Sequence, residues 1–194
     1  SIIAKTTAKK IRRIYHDQVV IGFAGGVADA VSLQEMLEGK LESYSGDLRR
    51  AAVEMAQSWR KDQTLQKLEA MVIAFNDQDL LLISGNGEVL EPDESVVAIG
   101  SGGYYAQAAA VGMLRHASGM TASEIAKEAV NIAADIDVFT DHEIVTDEIE
   151  DFLLARRKFH HDILLRRQVL YFCTANIKTQ AQQRSPEHFS AHDQ

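Results

Sequence analysis

Four short segments of this chain are apolar at nearly every position: "VVIGF", "AMVIAF", "LLLIS" and "VVAIG". A strand in a sheet with one wet face alternates apolar and polar residues, so a run without alternation demands cover on both faces. Nothing else in the sequence restricts the fold as strongly. Helical patterns supply the cover. "VADAVSLQEMLEGKLESY" repeats apolar residues at helical spacing through Val27, Val31, Met36, Leu37 and Leu41. "GDLRRAAVEMAQSWRKD" sets Leu48, Ala51, Ala52, Met55 and Trp59 on one face of a second helix. Two further helices are expected in "YYAQAAAVGMLRHA" and "TASEIAKEAVNIAADI", the latter opening with the capping-box spacing of Thr121 to Glu124.

Along the chain these elements run strand, two helices, a run of strands turning at "NDQD" and "GNG", the strand "SVVAIGSGG", and two helices. A last strand is expected in "DVFTDHEIVTDEIE". Helices in pairs disfavour a doubly wound parallel sheet, where they alternate singly with strands. They favour an α+β fold of largely antiparallel sheets with helices outside, a four-layer αββα sandwich. At 194 residues the chain is long enough for one sizeable core.

Charge divides the chain. Residues 1–150 carry 13 Lys and Arg against 24 Asp and Glu, whereas residues 151–194 carry 7 against 4. An acidic body argues against nucleic acid as a partner. The basic tail is a different kind of sequence, with "ARRKFHHDILLRRQVL" patterned as an amphipathic helix and the remainder expected to be disordered. We therefore read a domain at 1–150 and an atypical tail at 151–194. A single cysteine, Cys173, excludes an internal disulfide, and no apolar run approaches the ~20 residues of a membrane span. A cytoplasmic protein is the expectation.

Two junctions echo each other: "IGFAGGVADAV" and "AIGSGGYYAQA" both pass from strand through Gly-Gly into helix. Gly-Gly permits a sharp turn and close approach of a ligand, and a helix start offers unpaired N–H groups. A dinucleotide fingerprint would need glycine where Tyr105 stands, and the Gly-Lys-Ser/Thr of a P-loop does not occur. Tight turns and an anion hole for acyl transfer both remain open. In "AKKIRR", strand alternation would send Lys10 and Arg12 to one face, Lys9 and Arg13 to the other. A solvated edge strand is one reading. A lysine aimed inward, beside a Gly-Gly loop, would instead lower the pKa of a neighbouring nucleophile. Asp135, Asp137, Asp141, Glu143 and Asp147 lack the ordered spacing of a calcium loop and read as a solvated face.

Taken together, "KKIRRIYHDQVVIGFAGGVADA", "LEGKLESYSGDLRRAAVEMAQSWRKD", "LLLISGNGEVLEPD", "VAIGSGGYYAQAAA" and "SEIAKEAVNIAADIDVFT" resemble the HslV (ClpQ) peptidase family. The stretches follow family order from about residue 4 to residue 150. The resemblance implies an N-terminal nucleophile hydrolase fold and a threonine-type endopeptidase. It implies self-assembly into a double hexameric ring that degrades proteins unfolded by a partner ATPase, HslU (ClpY), so that ATP enters only through that partner. Position by position, the family's catalytic lysine matches Lys10, its active-site serine matches Ser101, and its oxyanion N–H matches Gly25. A monovalent cation, sodium, is held in the family by backbone carbonyls of a Gly-x-x-Cys-x-x-Thr pattern, which here reads Ala134, Asp137 and Thr140.

The chain departs from the family pattern at both ends. Mature family members begin Thr-Thr and pass through a Gly-Asp-Gly hairpin before the lysine, and no residues here match that hairpin. Thr6 and Thr7 do not replace the nucleophile, because three residues of strand hold Thr7 within ~10 Å of Lys10 along the same strand rather than across the sheet. The expectation is thus a sandwich lacking its first hairpin, no nucleophile in the sequence as written, and a 194-residue polypeptide that is inactive as given. A non-catalytic subunit that joins or regulates intact rings is the first alternative. A small-molecule binder built on the two Gly-Gly loops is the second.

Overall fold

Three of the four fully apolar segments pair with one another. In the computed structural model, which describes residues 10–68 and 70–149, five strands form one antiparallel sheet. Its order follows the sequence: β1 (Ile11–Ile14), β2 (Val19–Ala24), β3 (Met71–Phe75), β4 (Leu80–Ser84) and β5 (Val89–Leu90). The central register sets Val20 against Phe75 and Val72 against Ile83. Strand alternation then sorts the side chains. Val19, Ile21, Phe23, Val72, Ala74, Leu81 and Ile83 enter one apolar cluster, while Val20, Ile73, Phe75 and Leu80 enter another.

The first cluster is closed by a helical hairpin, α1 (Val27–Ser43) and α2 (Leu48–Lys61). The α2 face is the one expected: Leu48, Ala51, Ala52, Met55 and Trp59 are all buried. Each buried side chain of leucine size stabilises by roughly 1.5–3 kcal/mol relative to exposure. Trp59 also satisfies its indole, with Nε1 donating to the Leu65 carbonyl at 2.9 Å. On α1 the buried stripe is Ala30, Leu33, Leu37 and Leu41. Val31, expected on that stripe, is 38% exposed, because helical rotation turns it one step past the core.

The other sheet face is covered differently from expectation. "VVAIG" forms no strand; residues 96–99 run as an irregular strip across the sheet. Val97 and Ile99 pack on the sheet, while Val96 and Ala98 turn toward the helices α3 (Gly103–His116) and α4 (Ala122–Ile136). The layers are therefore helix pair, sheet, strip and helix pair. The α+β layered fold stands, with a strip where the sandwich expected a second sheet among the described residues. Small residues set the α3–α4 contact, including Ala106, Ala110, Ala126, Ala129 and Ala133. The capping box starts α4 as the spacing predicts: Glu124 N–H donates to Thr121 Oγ1 at 3.2 Å, and Thr121 N–H to Glu124 Oε2 at 2.7 Å.

The expected last strand is also absent from residues 138–149. Side chains hold this segment instead. Arg13 grips Asp147 with Nε at 3.1 Å and Nη2 at 2.5 Å, and Nη2 also donates to the Glu148 carbonyl. Acidic spacing without alternating large apolar residues gives a ladder little to bury. The expected tail helix at 155–170, Lys9, Thr6, Thr7 and Cys173 lie outside the described residues.

Two turns meet where the sheet joins the helical hairpin. Tyr15, His16 and Asp17 all take positive φ between β1 and β2, and Gly46 takes φ +83° between α1 and α2. A Cβ on Gly46 would stand 2.7 Å from Tyr15 Cε1. Gly46→Ala combines a disfavoured φ with that overlap and is expected to cost about 2 kcal/mol. Urea unfolding checks this as a lower midpoint at unchanged slope.

Candidate active site

The residues singled out in the sequence fall beside one apolar cluster on the strip side of the sheet. Ile11 and Ala24 are partly buried against it, and Ile99 belongs to it. Lys10 precedes Ile11, Gly25 follows Ala24, and Ser101 lies two residues beyond Ile99. Antiparallel pairing reinforces this for the first two. Ile11 opposes Gly22, so the start of β1 and the end of β2 share one end of the sheet.

Lys10 is half-buried in a bend that precedes the ladder, so strand alternation does not extend to it. Its two basic neighbours part as alternation requires. Arg12 turns to the helical hairpin and donates to Gln34 Oε1 at 2.6 Å, whereas Arg13 turns to Asp147. Neither is a free solvated cation.

Gly25 has φ +137° and Gly100 has φ +98°, conformations that L side chains resist. The first bends the chain from β2 into α1, the second from the strip into α3. Gly103 adds a close approach, since a Cβ there would stand 3.3 Å from the Ala98 carbonyl oxygen. Both Gly-led helices begin without a side-chain cap, at Gly26 and Gly102. The other two helices are capped, α2 by Asp47 and α4 by Thr121. The glycine junctions thus leave helix-start N–H groups without a side-chain acceptor, which suits a site that meets negative charge.

Ser101 is drawn to the far end of α4. Its hydroxyl donates to Asp137 Oδ2 at 2.5 Å, and Thr140 Oγ1 donates to the same oxygen at 2.6 Å. Phe139 N–H reaches Asp137 Oδ1 at 3.3 Å. These bonds favour the ionised form and hold the Asp137 carboxyl below the usual aspartate range, the Ser101 bond contributing most and the Thr140 bond next. Sequence reasoning missed this role. It took Asp137 as a source of a backbone carbonyl and its acidic neighbours as a solvated face. The available signal was an acid standing where the family pattern has cysteine.

The backbone of the same turn carries the candidate cation donors. Ala134 contributes one of the last carbonyls of α4, which a helix cannot satisfy internally. The Asp137 carbonyl accepts Thr140 N–H at 3.0 Å and keeps a second lone pair, and Thr140 is buried. Oxygen donors at the negative end of a helix, beside a carboxylate, fit a hard monovalent cation. Among the described residues no three His, Cys, Asp or Glu side chains converge as a metal group, and no helix is long and apolar enough to cross a membrane.

Comparison with known proteins identifies the family. The family model described as proteasome subunit matches residues 1–149, and the chain belongs to the proteasome family. Within it, the ATP-dependent protease subunit HslV of Lactobacillus leichmannii is 99% identical over 151 residues, covering 78% of this chain and 85% of that protein. The protein of the same description from Lacticaseibacillus casei (strain BL23) is 66% identical over 146 residues, covering 75% and 84%. The crystal structure of eukaryotic HslV from Trypanosoma brucei superposes with a TM-score of 0.63 at 46% identity, covering 69% of this chain and 76% of that one. The chain is a member of the HslV group of that family.

The depressed Asp137 pKa has a consequence for stability. A carboxyl whose folded pKa lies below its unfolded value of ~3.9 stabilises the fold fully above that value and loses its contribution as pH falls through the folded pKa. The wild-type Tm should therefore fall more steeply below pH 4 than that of Asp137→Asn, with the two curves converging in acid. Thermal melts across pH 3–7 check the difference.

Proposed function

We propose that this chain is the proteolytic subunit of a two-component ATP-dependent protease, acting as a threonine-type endopeptidase. What supports the reading is membership of the HslV group, together with one apolar cluster shared by Ile11, Ala24 and Ile99, which lie within two residues of Lys10, Gly25 and Ser101 respectively. The name carried by its relatives, ATP-dependent protease subunit HslV, supports the same activity here.

The chemistry combines residues of this chain with the nucleophile that family membership implies. In this reading the hydroxyl of an N-terminal threonine attacks the scissile carbonyl, and its own α-amino group takes the proton. An α-amino group has an ordinary pKa near ~8, so a modest lowering leaves it neutral and basic at physiological pH. The Lys10 ammonium is the cation that lowers it. Backbone N–H at Gly25, set by its positive φ, would meet the oxyanion as the tetrahedral intermediate forms. Ala134, Asp137 and Thr140 would hold a monovalent cation, sodium, through their carbonyls, and it would supply positive charge that draws the end of α4 and the following turn together. The reading extends to a double ring of copies and to HslU as the ATP-hydrolysing partner that unfolds substrates, in the cytoplasm.

The test is hydrolysis of a fluorogenic peptide by the protein bearing the family's N-terminal Thr-Thr hairpin ahead of these residues, with and without HslU and ATP. Turnover should rise on adding the partner with ATP. Lys10→Ala should lower kcat by at least about 100-fold, the lower end of what a positioned proton-transfer group supplies, with an unchanged Tm. Wild-type turnover in Lys10→Ala would sink the assignment.

A further inference from the structure

The segment that follows α4 holds apolar side chains out in water. Ile136, at the end of the helix, is 55% exposed, Val138 87%, Phe139 51% and Val145 66%. This is not a frayed end. Thr140, in the same turn, is buried, and the Asp137 carboxylate accepts Thr140 Oγ1 at 2.6 Å and the Phe139 N–H at 3.3 Å. Single exposed apolar residues need no explanation, but four within ten residues beside a fixed turn make a patch that calls for a partner.

The surroundings of the patch are acidic. Residues 128–150 contain eight Asp and Glu and no Lys or Arg. Glu143 and Glu148 are exposed. The opposite pattern comes next in the chain. Residues 155–170 contain five Lys and Arg against one acid, Asp162. At helical spacing, Phe159, Ile163 and Leu170 fall on one stripe, and Arg156, Arg166 and Arg167 fall along its borders.

We propose that residues 155–170 pack as a basic amphipathic helix on the apolar patch at Ile136, Val138, Phe139 and Val145, with the arginines set against its acidic surroundings. This goes beyond the peptidase reading and does not rest on it. The chain from Val145 to residue 155 extends to ~35 Å at most, so the segment stays close to the patch whatever else happens. A tether of this kind gives an effective concentration of order mM, which lets a modest contact form. Charge selects this occupant over two others. A second copy offering the same patch across a two-fold axis would set acid against acid. An anionic membrane or a nucleic acid would meet the same repulsion.

The experiment is limited trypsin digestion of the full-length protein followed by mass spectrometry, since trypsin cuts after the arginines and the lysine of residues 156–167. A synthetic peptide of residues 151–194 gives the rate for the free segment. Cleavage in the protein should be slower than in the peptide by about tenfold or more, because cutting tracks the undocked fraction. Phe139→Asp in the patch and Ile163→Asp in the segment should each restore the peptide rate. Arg166→Glu/Arg167→Glu should speed cleavage after Arg156, and protection should not change with protein concentration.

Cleavage of wild type at the peptide rate would overturn the proposal. So would protection that survives Phe139→Asp or the charge reversal, since the segment would then lie elsewhere. Protection that grows with protein concentration would overturn it too, by making a second copy the occupant. If Phe139→Asp lowers Tm, Val138→Asp carries the decision, because that side chain is almost fully exposed and contributes nothing to the core.

Discussion

Everything in this fold answers to a sheet that is apolar on both sides. Val20 and Ile21, adjacent on β2, are both fully buried, and so are Val72 and Ile73 on β3. Adjacent strand residues face opposite ways, so neither face of the sheet can be left to water. One face takes the α1–α2 hairpin directly. The other takes a narrow strip, residues 96–99, and only through it the α3–α4 pair. Alternation within the strip is what makes this work, since Val97 and Ile99 serve the sheet while Val96 and Ala98 serve the helices. The candidate site residues flank that layer in sequence, beside Ile11, Ala24 and Ile99.

Polar joints sit where the layers must not slide. Arg49 at the start of α2 bonds Asp79 in the β3–β4 turn and Glu91 beyond β5, tying helix to sheet edge. Its pKa is raised, by the Glu91 bonds first and the Asp79 bond next, although the exposed side chain limits what the pair adds to stability. Asp137 plays the matching part on the opposite layer, joining the end of α4 to the turn before α3. Both joints connect the end of one element to the turn of another. They fix relative placement where apolar packing, which is tolerant of small shifts, does not.

How much of this was legible depends on what each residue needed. Periodicity was enough for α2, whose Leu48 to Trp59 face is buried as read, and for the Thr121–Glu124 capping box, because both are local. It misplaced Val31 by one step of rotation, where an apolar residue at the margin of the stripe was read as its centre. "VVAIG" looked like a strand since it is buried on both sides, but burial can be met by a strip without a ladder. Partners for a ladder are a property of the whole chain, not of five residues. The site was legible only through the ensemble of motifs. Lys10, Gly25 and Ser101 are ordinary residues in isolation, and the meeting of their neighbours Ile11, Ala24 and Ile99 in one cluster depends on β1 opposing β2 and on where the strip crosses. The Ser101–Asp137 bond spans 36 positions, and no spacing rule reaches across such a gap.

The grip of Arg13 on the 147–148 segment has a mechanical meaning. Guanidinium, carboxylate and carbonyl form several bonds side by side, so a tension arriving along the chain from beyond residue 149 loads them in parallel. That tension reaches this fork before it reaches any ladder of the sheet. Because Arg13 is itself a β1 residue set opposite Val20, the fork ties the 147–148 segment directly to the sheet's outer strand.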